Sequence, residues 1–275
     1  MILVTGATGT VGRELVQQLR DADENVRVLV RHPDSADLAD GVEAVRGDLV
    51  DVSSWQHALD GVDAVFLVWP FMSADQAAPV VSALAERVPR IVYLSAEAVA
   101  HRPDGGFWGA VEREIAANTE EWTFLRPTGF AKNTLMWAEQ IKNDDVVRWP
   151  FANAARSLIH EADIARVAVR ALVDGWHAGR TYVLSGPESL TQAEQIAAIG
   201  AAIGRSLRFE EIPPDEARPG LVAAFGDEAF VDSALRTWAS FIDDPEIVTD
   251  TVAGITGNPA TPLQDWADQH ATEFR

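Results

Sequence analysis

The chain of 275 residues has no cysteine and only two tyrosines. Without thiols it forms no disulfide, no thiolate metal site and no cysteine nucleophile, which suits a reducing compartment. Among its 22 basic residues only Lys132 and Lys142 are lysines, so chemistry that needs an amine has few candidates. Long apolar runs are missing as well: a stretch such as DAVFLVWP is far shorter than a membrane span. The opening residues lack the charged and apolar regions of a signal peptide, strand-like residues starting at Ile2. A cytoplasmic protein with no membrane role is therefore expected. Positive charge is outweighed, and a formal net charge of −20 repels a phosphate backbone, which argues against a nucleic-acid partner. No group of His, Asp and Glu has metal-ligand spacing, so no metal is expected.

What is present is apolar residue at 47%, enough to fill a substantial core. The length is great for one core and small for two, which predicts a large domain with a smaller lobe. The first half alternates β-branched runs with amphipathic stretches, the pattern of repeated β-α units around a parallel sheet. Strands are predicted at Ile2–Thr5, Val26–Val30, Glu43–Val45, Ala64–Val68, Arg90–Leu94 and Thr123–Leu125. Helical segments are predicted near Gly12–Leu19, Ser54–Leu59, Ala74–Glu86 and Trp108–Ala117. Together they predict an α/β fold with a doubly wound parallel Rossmann sheet and a ligand crevice at the carboxyl ends of its strands. The dinucleotide domain is expected over 1–175, with 128–155 contributing in part to a C-terminal α/β substrate lobe over 176–275. A helix near Asn133–Lys142 and another ending before Gly175, capped by Asp163, are expected in between. In the tail Thr191 and Glu194 have capping-box spacing, as do Thr261 and Gln264, with Pro262 as a first helical residue.

Gly6, Gly9 and Gly12 follow the first strand and run into a helix. One glycine permits the tight turn, a second lets backbone N–H groups approach a pyrophosphate, and a third lets helix and strand pack closely, with the positive helix end facing the phosphates. Thr8, Thr10 and Val11 supply the rest of this loop. Directly after the second strand stands Arg31, where folds that prefer NAD place an acidic side chain for the ribose hydroxyls. A guanidinium there pairs with a 2′-phosphate, so NADPH or NADP is favoured over NAD; Arg13 is a second cation nearby, assisting or unrelated. After the third strand Asp48 either accepts the adenine amino group, with Leu49 packed on the ring, or caps the next turn. Val68, Trp69, Ser95 and Pro127, at the ends of later strands, complete the expected cofactor contacts.

TGATGTVG, Arg31, GDLVD, YLSAEA and WTFLRPTGFAKN together resemble the NmrA-like group of atypical short-chain dehydrogenase/reductases. The resemblance runs over nearly the whole chain, including IHEADIARVAVRAL and TGNPATPLQDWADQHATEF. It implies a Rossmann fold and either an NADPH-dependent quinone reductase or an NADP-sensing regulator. The wider superfamily carries a tyrosine and a lysine four residues apart on the helix after the fifth strand; in FWGAVEREI the matching positions hold Trp108 and Glu112. Indole is no useful acid near neutral pH, and a carboxylate raises a neighbouring phenol's pKa instead of lowering it. Tyr93 and Tyr182 lie within predicted strands, where packing is their default role. Catalytic residues thus stay unassigned, with Lys132 and Trp108 the weak candidates.

Hydride transfer to a strongly electrophilic acceptor dispenses with a protein acid when solvent supplies the proton. Phe71, Trp108, Phe130, Asn133 and Trp137, with Trp149 near them, are the expected walls of a site for a flat, apolar ligand; packing is the alternative for each. His101 lies in a glycine-containing loop, either a lid or a connection, and His160 reads as structural. The reading is an NADPH-dependent reductase of a quinone, an enone or a related aromatic small molecule, monomeric or homodimeric. Two alternatives stand: an NADP(H) sensor acting through a protein partner, and an isomerase or cyclase that consumes no net NADPH.

Overall fold

The computed structural model describes residues 1–38, 41–102 and 104–275, and its chain divides into two compact units. The first comprises Met1–Pro127, Glu161–Leu184 and Thr251–Asn258; the second comprises Thr128–His160, Ser185–Asp250 and Pro259–Arg275. In chain order the strands are β1 Ile2–Thr5, β2 Val26–Val30, β3 Glu43–Arg46, β4 Ala64–Val68, β5 Arg90–Leu94, β6 Glu121–Pro127, β7 Val146–Trp149, β8 Ala155–Arg156, β9 Arg180–Leu184, β10 Leu190–Thr191 and β11 Arg208–Glu211. The α-helices are α1 Thr10–Asp21, α2 Ala77–Ala85, α3 Gly106–Asn118, α4 Ala138–Asp144, α5 Glu161–Val173, α6 Gln192–Ile203, α7 Pro214–Phe225, α8 Glu228–Ser240, α9 Thr251–Thr256 and α10 Leu263–Gln269.

The first unit is a doubly wound Rossmann sheet in the order β3-β2-β1-β4-β5-β6-β9, every neighbouring pair parallel. Its strand order reverses between β1 and β4, the position at which such sheets open toward ligands. Side chains alternate across each strand. Leu3, Val65, Leu67, Ile91 and Tyr93 fall in one core with Val80, Val81 and Leu84 of α2 and Val111 and Ile115 of α3. Their neighbours Val4, Phe66 and Val92 are equally buried, so the sheet is covered on both faces, as its continuous apolar strands require.

Several elements differ from their sequence reading. The segment over 54–59 forms short 3-10 turns, Val52–Ser54 and Gln56–Leu59, in place of a helix. Within the span 176–275 expected for the lobe, TYVL forms the seventh strand of the main sheet, with Phe124↔Thr181 and Leu125↔Tyr182 in register. Asp163 does not cap α5: the helix already starts at Glu161, and Asp163 sits in its first turn paired with Arg166. Around Asn133 the chain is a 3-10 stretch, Ala131–Trp137, continued by α4.

The second unit has two small ladders, β7 with β11 in parallel and β8 with β10 antiparallel. Its core joins Trp137, Ile141 and Val147 to Ile196 and Ile199 of α6 and Leu263 and Trp266 of α10, with Phe274. Thr191 and Glu194 form the reciprocal capping box at the start of α6. The spacing at Thr261 does not repeat it, because α10 starts at Leu263 with Pro262 in the capping position and no side-chain cap. α7 and α8 share a separate cluster of Leu221, Val231 and Leu235. Glu246 is buried and accepts hydrogen bonds from the Gly129 N–H at 3.3 Å, the Ser157 N–H at 3.1 Å and Arg156 Nη2 at 3.0 Å. Among the described residues no helix is long and apolar enough to cross a membrane.

Candidate functional site

Gly6 ends β1 with φ +64°, and a Cβ there would stand 3.0 Å from the Val68 side chain. At Gly12 a Cβ would meet the Gly6 carbonyl oxygen at 2.1 Å. No side chain of any kind fits there without moving the β1–α1 turn. Between them, Gly9 occupies the capping position of α1, and no side chain caps the helix. The first N–H groups of α1 therefore have no side-chain cap among the described residues, and the positive end of the helix dipole lies behind them, an arrangement suited to a phosphate. Thr8 and Gly9 are exposed, whereas Val11 and Gly12 are buried.

At the end of β2 Arg31 is exposed, with no hydrogen bond or ion pair to another described residue. Arg13, the first residue after Gly12, points one guanidinium nitrogen at Asp37 at 2.9 Å. Past β3 Asp48 is exposed; its N–H donates to Ser54 Oγ at 3.0 Å, and its Oδ1 accepts from the Val50 N–H at 3.3 Å. Leu49 is half-buried and its carbonyl accepts from Trp55 Nε1 at 3.0 Å. Val68 is anchored through its N–H to Thr5 Oγ1 at 2.8 Å. Trp69 is buried, donates its indole N–H to the Ser73 carbonyl at 2.8 Å, and meets Phe71 edge to face at 5.2 Å.

The carboxyl ends of β5 and β6 carry a cluster that the sequence reading missed. Ser95 Oγ donates to Glu112 Oε1 at 2.5 Å, and Arg126 grips the same carboxylate through Nε at 2.9 Å and Nη2 at 2.5 Å. Glu112 is only 6% exposed. Tyr93 is fully buried, its hydroxyl has no hydrogen-bond partner, and its pKa is pushed far up, first by burial and then by the Glu112 charge. The hydrogen bonds from Arg126 to Glu112 hold the guanidinium above even its usual pKa. Beside them buried Glu97 holds His101 Nε2 at 2.7 Å. Glu112 thus fills the position that the resemblance gives to a lysine, but it neutralises an arginine of the next strand. One signal pointed to this: Arg126 ends an apolar strand, and a charge placed so needs a partner.

Trp108 is half-buried on α3, stacked on Phe107 at 4.0 Å with the Arg102 guanidinium 5.9 Å from its ring. Pro127 is buried at the end of β6. In the second unit Phe130 is half-buried, Asn133 is exposed and Lys132 is half-buried. Trp137 is 3% exposed in that unit's core, edge to face with Trp149 at 6.1 Å, and its indole N–H has no hydrogen-bond partner. His160 bonds Gln269 Oε1 at 3.2 Å. Among the described residues no group of three or more His, Asp or Glu could hold a metal ion.

The model of the NmrA-like family matches residues 1–235. This chain belongs to that family. Over 285 residues it is 41% identical to the (4-alkanoyl-5-oxo-2,5-dihydrofuran-3-yl)methyl phosphate reductase of Streptomyces griseus, covering 100% of this chain and 99% of the relative. It is 34% identical to the NAD(P)H azoreductase of Xenophilus azovorans over 287 residues, with 100% and 99% covered. Among solved structures, the triphenylmethane reductase of Citrobacter sp. complexed with NADP(H) superposes with a TM-score of 0.84 at 22% identity, covering 98% of this chain and 100% of that one. The NmrA-like chain therefore shares the whole length of these proteins, and the structural likeness shows the common fold.

Proposed function

We propose that this NmrA-like protein is an NADPH-dependent reductase of an electron-poor conjugated acceptor, a quinone, an enone or an unsaturated lactone such as a butenolide. The observation that carries the reading is the uncapped glycine turn at α1 together with Arg31 at the end of β2, exposed and without a partner among the described residues. The relatives' reductase chemistry points the same way. Gly6, Thr8, Gly9, Thr10, Val11 and Gly12 form the backbone cradle for a pyrophosphate, and Arg31 takes the 2′-phosphate. Asp48 and Leu49 hold the adenine, while Val68, Trp69 and Pro127 line the remainder of the cofactor; Ser95, buried with its hydroxyl donated to Glu112, is assigned to the folded core instead. Phe71 and Trp108 contact the acceptor, and Trp137, 3% exposed in the core of the second unit, takes the packing role instead.

Bound NADPH supplies a hydride. The chain's part is to orient the acceptor and exclude water around it. In the substrate named for the Streptomyces griseus relative the alkene is conjugated to two carbonyls, so charge from hydride addition at its β-carbon spreads onto oxygen. Such an anion is weakly basic, and the proton comes from solvent without a tyrosine–lysine dyad. On the same reading the protein acts in the cytoplasm as a monomer or homodimer.

Stopped-flow absorbance tests this. Protein preloaded with NADPH, mixed with quinones, enones and a butenolide, should lose the reduced-nicotinamide signal. Arg31→Ala should weaken NADPH binding about 10- to 100-fold, the loss of a charge-assisted contact, and leave NADH binding unchanged. Tight NADPH binding with no oxidation by any acceptor would overturn the reductase in favour of a sensor. Conversion of substrate at constant absorbance would favour an isomerase or cyclase.

A further inference from the structure

The proposed 2′-phosphate position is surrounded by more cation than Arg31. The register of β2 and β3 sets Val30 opposite Arg46, so Arg31 and Arg46 leave adjacent strands at the same end. Arg13 lies in the first turn of α1, directly after Gly12. The 3-10 turn Pro33–Ser35 and the residues after it connect these cations. From that segment Asp34 Oδ2 lies 2.8 Å from Arg46 Nη2, and Asp37 Oδ2 lies 2.9 Å from Arg13 Nη1. Both aspartates are 89% exposed, and each reaches one nitrogen of a guanidinium that has five N–H donors. Ion pairs of this kind contribute little to folding. In a protein with a net charge of −20, two arginines are therefore held by solvent-facing carboxylates of the very segment that follows Arg31 in the chain.

We propose that Asp34 and Asp37 are internal competitors for the 2′-phosphate: they occupy Arg46 and Arg13, and a 2′-phosphorylated nucleotide displaces them to be held by Arg13, Arg31 and Arg46 together. The inference rests on the NADPH reading above and adds two cations and two opposing carboxylates to it. A dianionic phosphate presents three acceptor oxygens to the guanidiniums, where each carboxylate offers two. A ribose 2′-hydroxyl carries no charge and leaves both aspartates in place. The carboxylates thus hold NADPH affinity below its maximum and leave NADH affinity as it is, which narrows the gap between the two nucleotides and favours release of the oxidised, 2′-phosphorylated product.

The test is calorimetric titration of the full chain with 2′,5′-ADP and with 5′-ADP, followed by NADPH and NADH. Asp34→Asn and Asp37→Asn should each tighten 2′,5′-ADP about two- to fivefold, the range of an exposed ion pair, and leave 5′-ADP unchanged. Arg13→Gln and Arg46→Gln should each weaken 2′,5′-ADP about tenfold or more. Unchanged thermal midpoints would show that all four variants fold. Equal effects on both nucleotides, or no tightening in either aspartate variant while wild type still prefers 2′,5′-ADP, would overturn the competitor role and leave the NADPH reading standing. Failure of the wild type to bind either NADPH or 2′,5′-ADP would overturn both.

Discussion

Along the carboxyl edge of the sheet, the β1–β2 stretch carries Arg31, exposed and with no partner among the described residues, together with Arg13 of α1 and Arg46 of β3, each open to solvent and held by an exposed aspartate. At the β5–β6 edge, in the same unit, charge is buried: Glu112 is closed in by Arg126 and Ser95, with Tyr93 beneath. The first arrangement keeps its hydrogen-bonding capacity for something outside the protein. The second spends that capacity internally. Mutations at the first edge should therefore be read in ligand affinity, and at the second in folding.

The largest effect is expected at Glu112. Glu112→Leu leaves the Arg126 guanidinium partly buried without its carboxylate, and breaking a buried pair from one side costs about 3–5 kcal/mol. In a chain of this size that lowers the thermal midpoint by roughly 10 °C. Glu112→Leu combined with Arg126→Leu should recover much of the loss, since an apolar pair of similar volume is often neutral. Calorimetry of the single and double variants checks this. A single variant that keeps its midpoint but loses NADPH affinity would break the contrast, and the cluster would belong with the cofactor site.

Gly12→Ala is the next expected effect and the one place where the two readouts merge. The added carbon would stand 2.1 Å from a backbone oxygen, so the turn must shift, at a cost of about 1–3 kcal/mol as in overpacked sites. The same shift moves the N–H groups at the start of α1, and NADPH binding should fall with the midpoint. Arg31→Ala is the control that separates the two, with affinity lost and the midpoint kept. If Gly12→Ala bound NADPH normally, the turn would not be the phosphate cradle.

This contrast also explains what could be read from the sequence. The sheet was legible because parallel strands covered on both faces are continuous apolar runs, as in ILVT and VRVLV, and the glycine turn because its residues must be adjacent to work. Arg31 was legible for the same local reason. The Glu112–Arg126 pair was not, because its partners come from a helix and a strand 14 residues apart and meet only when β5 and β6 pair. The place of TYVL in the main sheet was equally hidden: nothing in a five-residue strand states which sheet it joins, and β9 reaches β6 only after the whole of β7 and β8 has intervened. Asp34 and Asp37 read as loop residues until their distances to Arg46 and Arg13 are known.

The smallest expected effect extends the contrast to the segment that leads into β9. His177 is buried there, its Nδ1 2.9 Å from the Tyr182 hydroxyl, its carbonyl accepting from Thr123 Oγ1 at 2.8 Å and its ring stacked on Trp176. Burial lowers its pKa below the ordinary value of 6.5, and the Arg170 and Arg90 charges act in the same direction; Asp174, 3.8 Å from Nε2, opposes them in part. The unfolded chain therefore binds a proton near pH 6.5 that the folded chain still refuses. Between those two pKa values the unfolded state holds more protons, so stability is complete above about pH 6.5 and declines as pH falls through the lowered value. His177→Gln removes this titration, and its thermal midpoint should fall less than that of wild type between pH 7.5 and pH 5.5. Since the group is buried and far along the chain from Arg13, Arg31 and Arg46, the ratio of NADPH to NADH affinity should be the same in both proteins at pH 7.5. Parallel midpoint curves would show that Asp174 compensates fully, and buried polar groups at this end would then carry no acid sensitivity to set against the exposed cations of the β1–β2 edge.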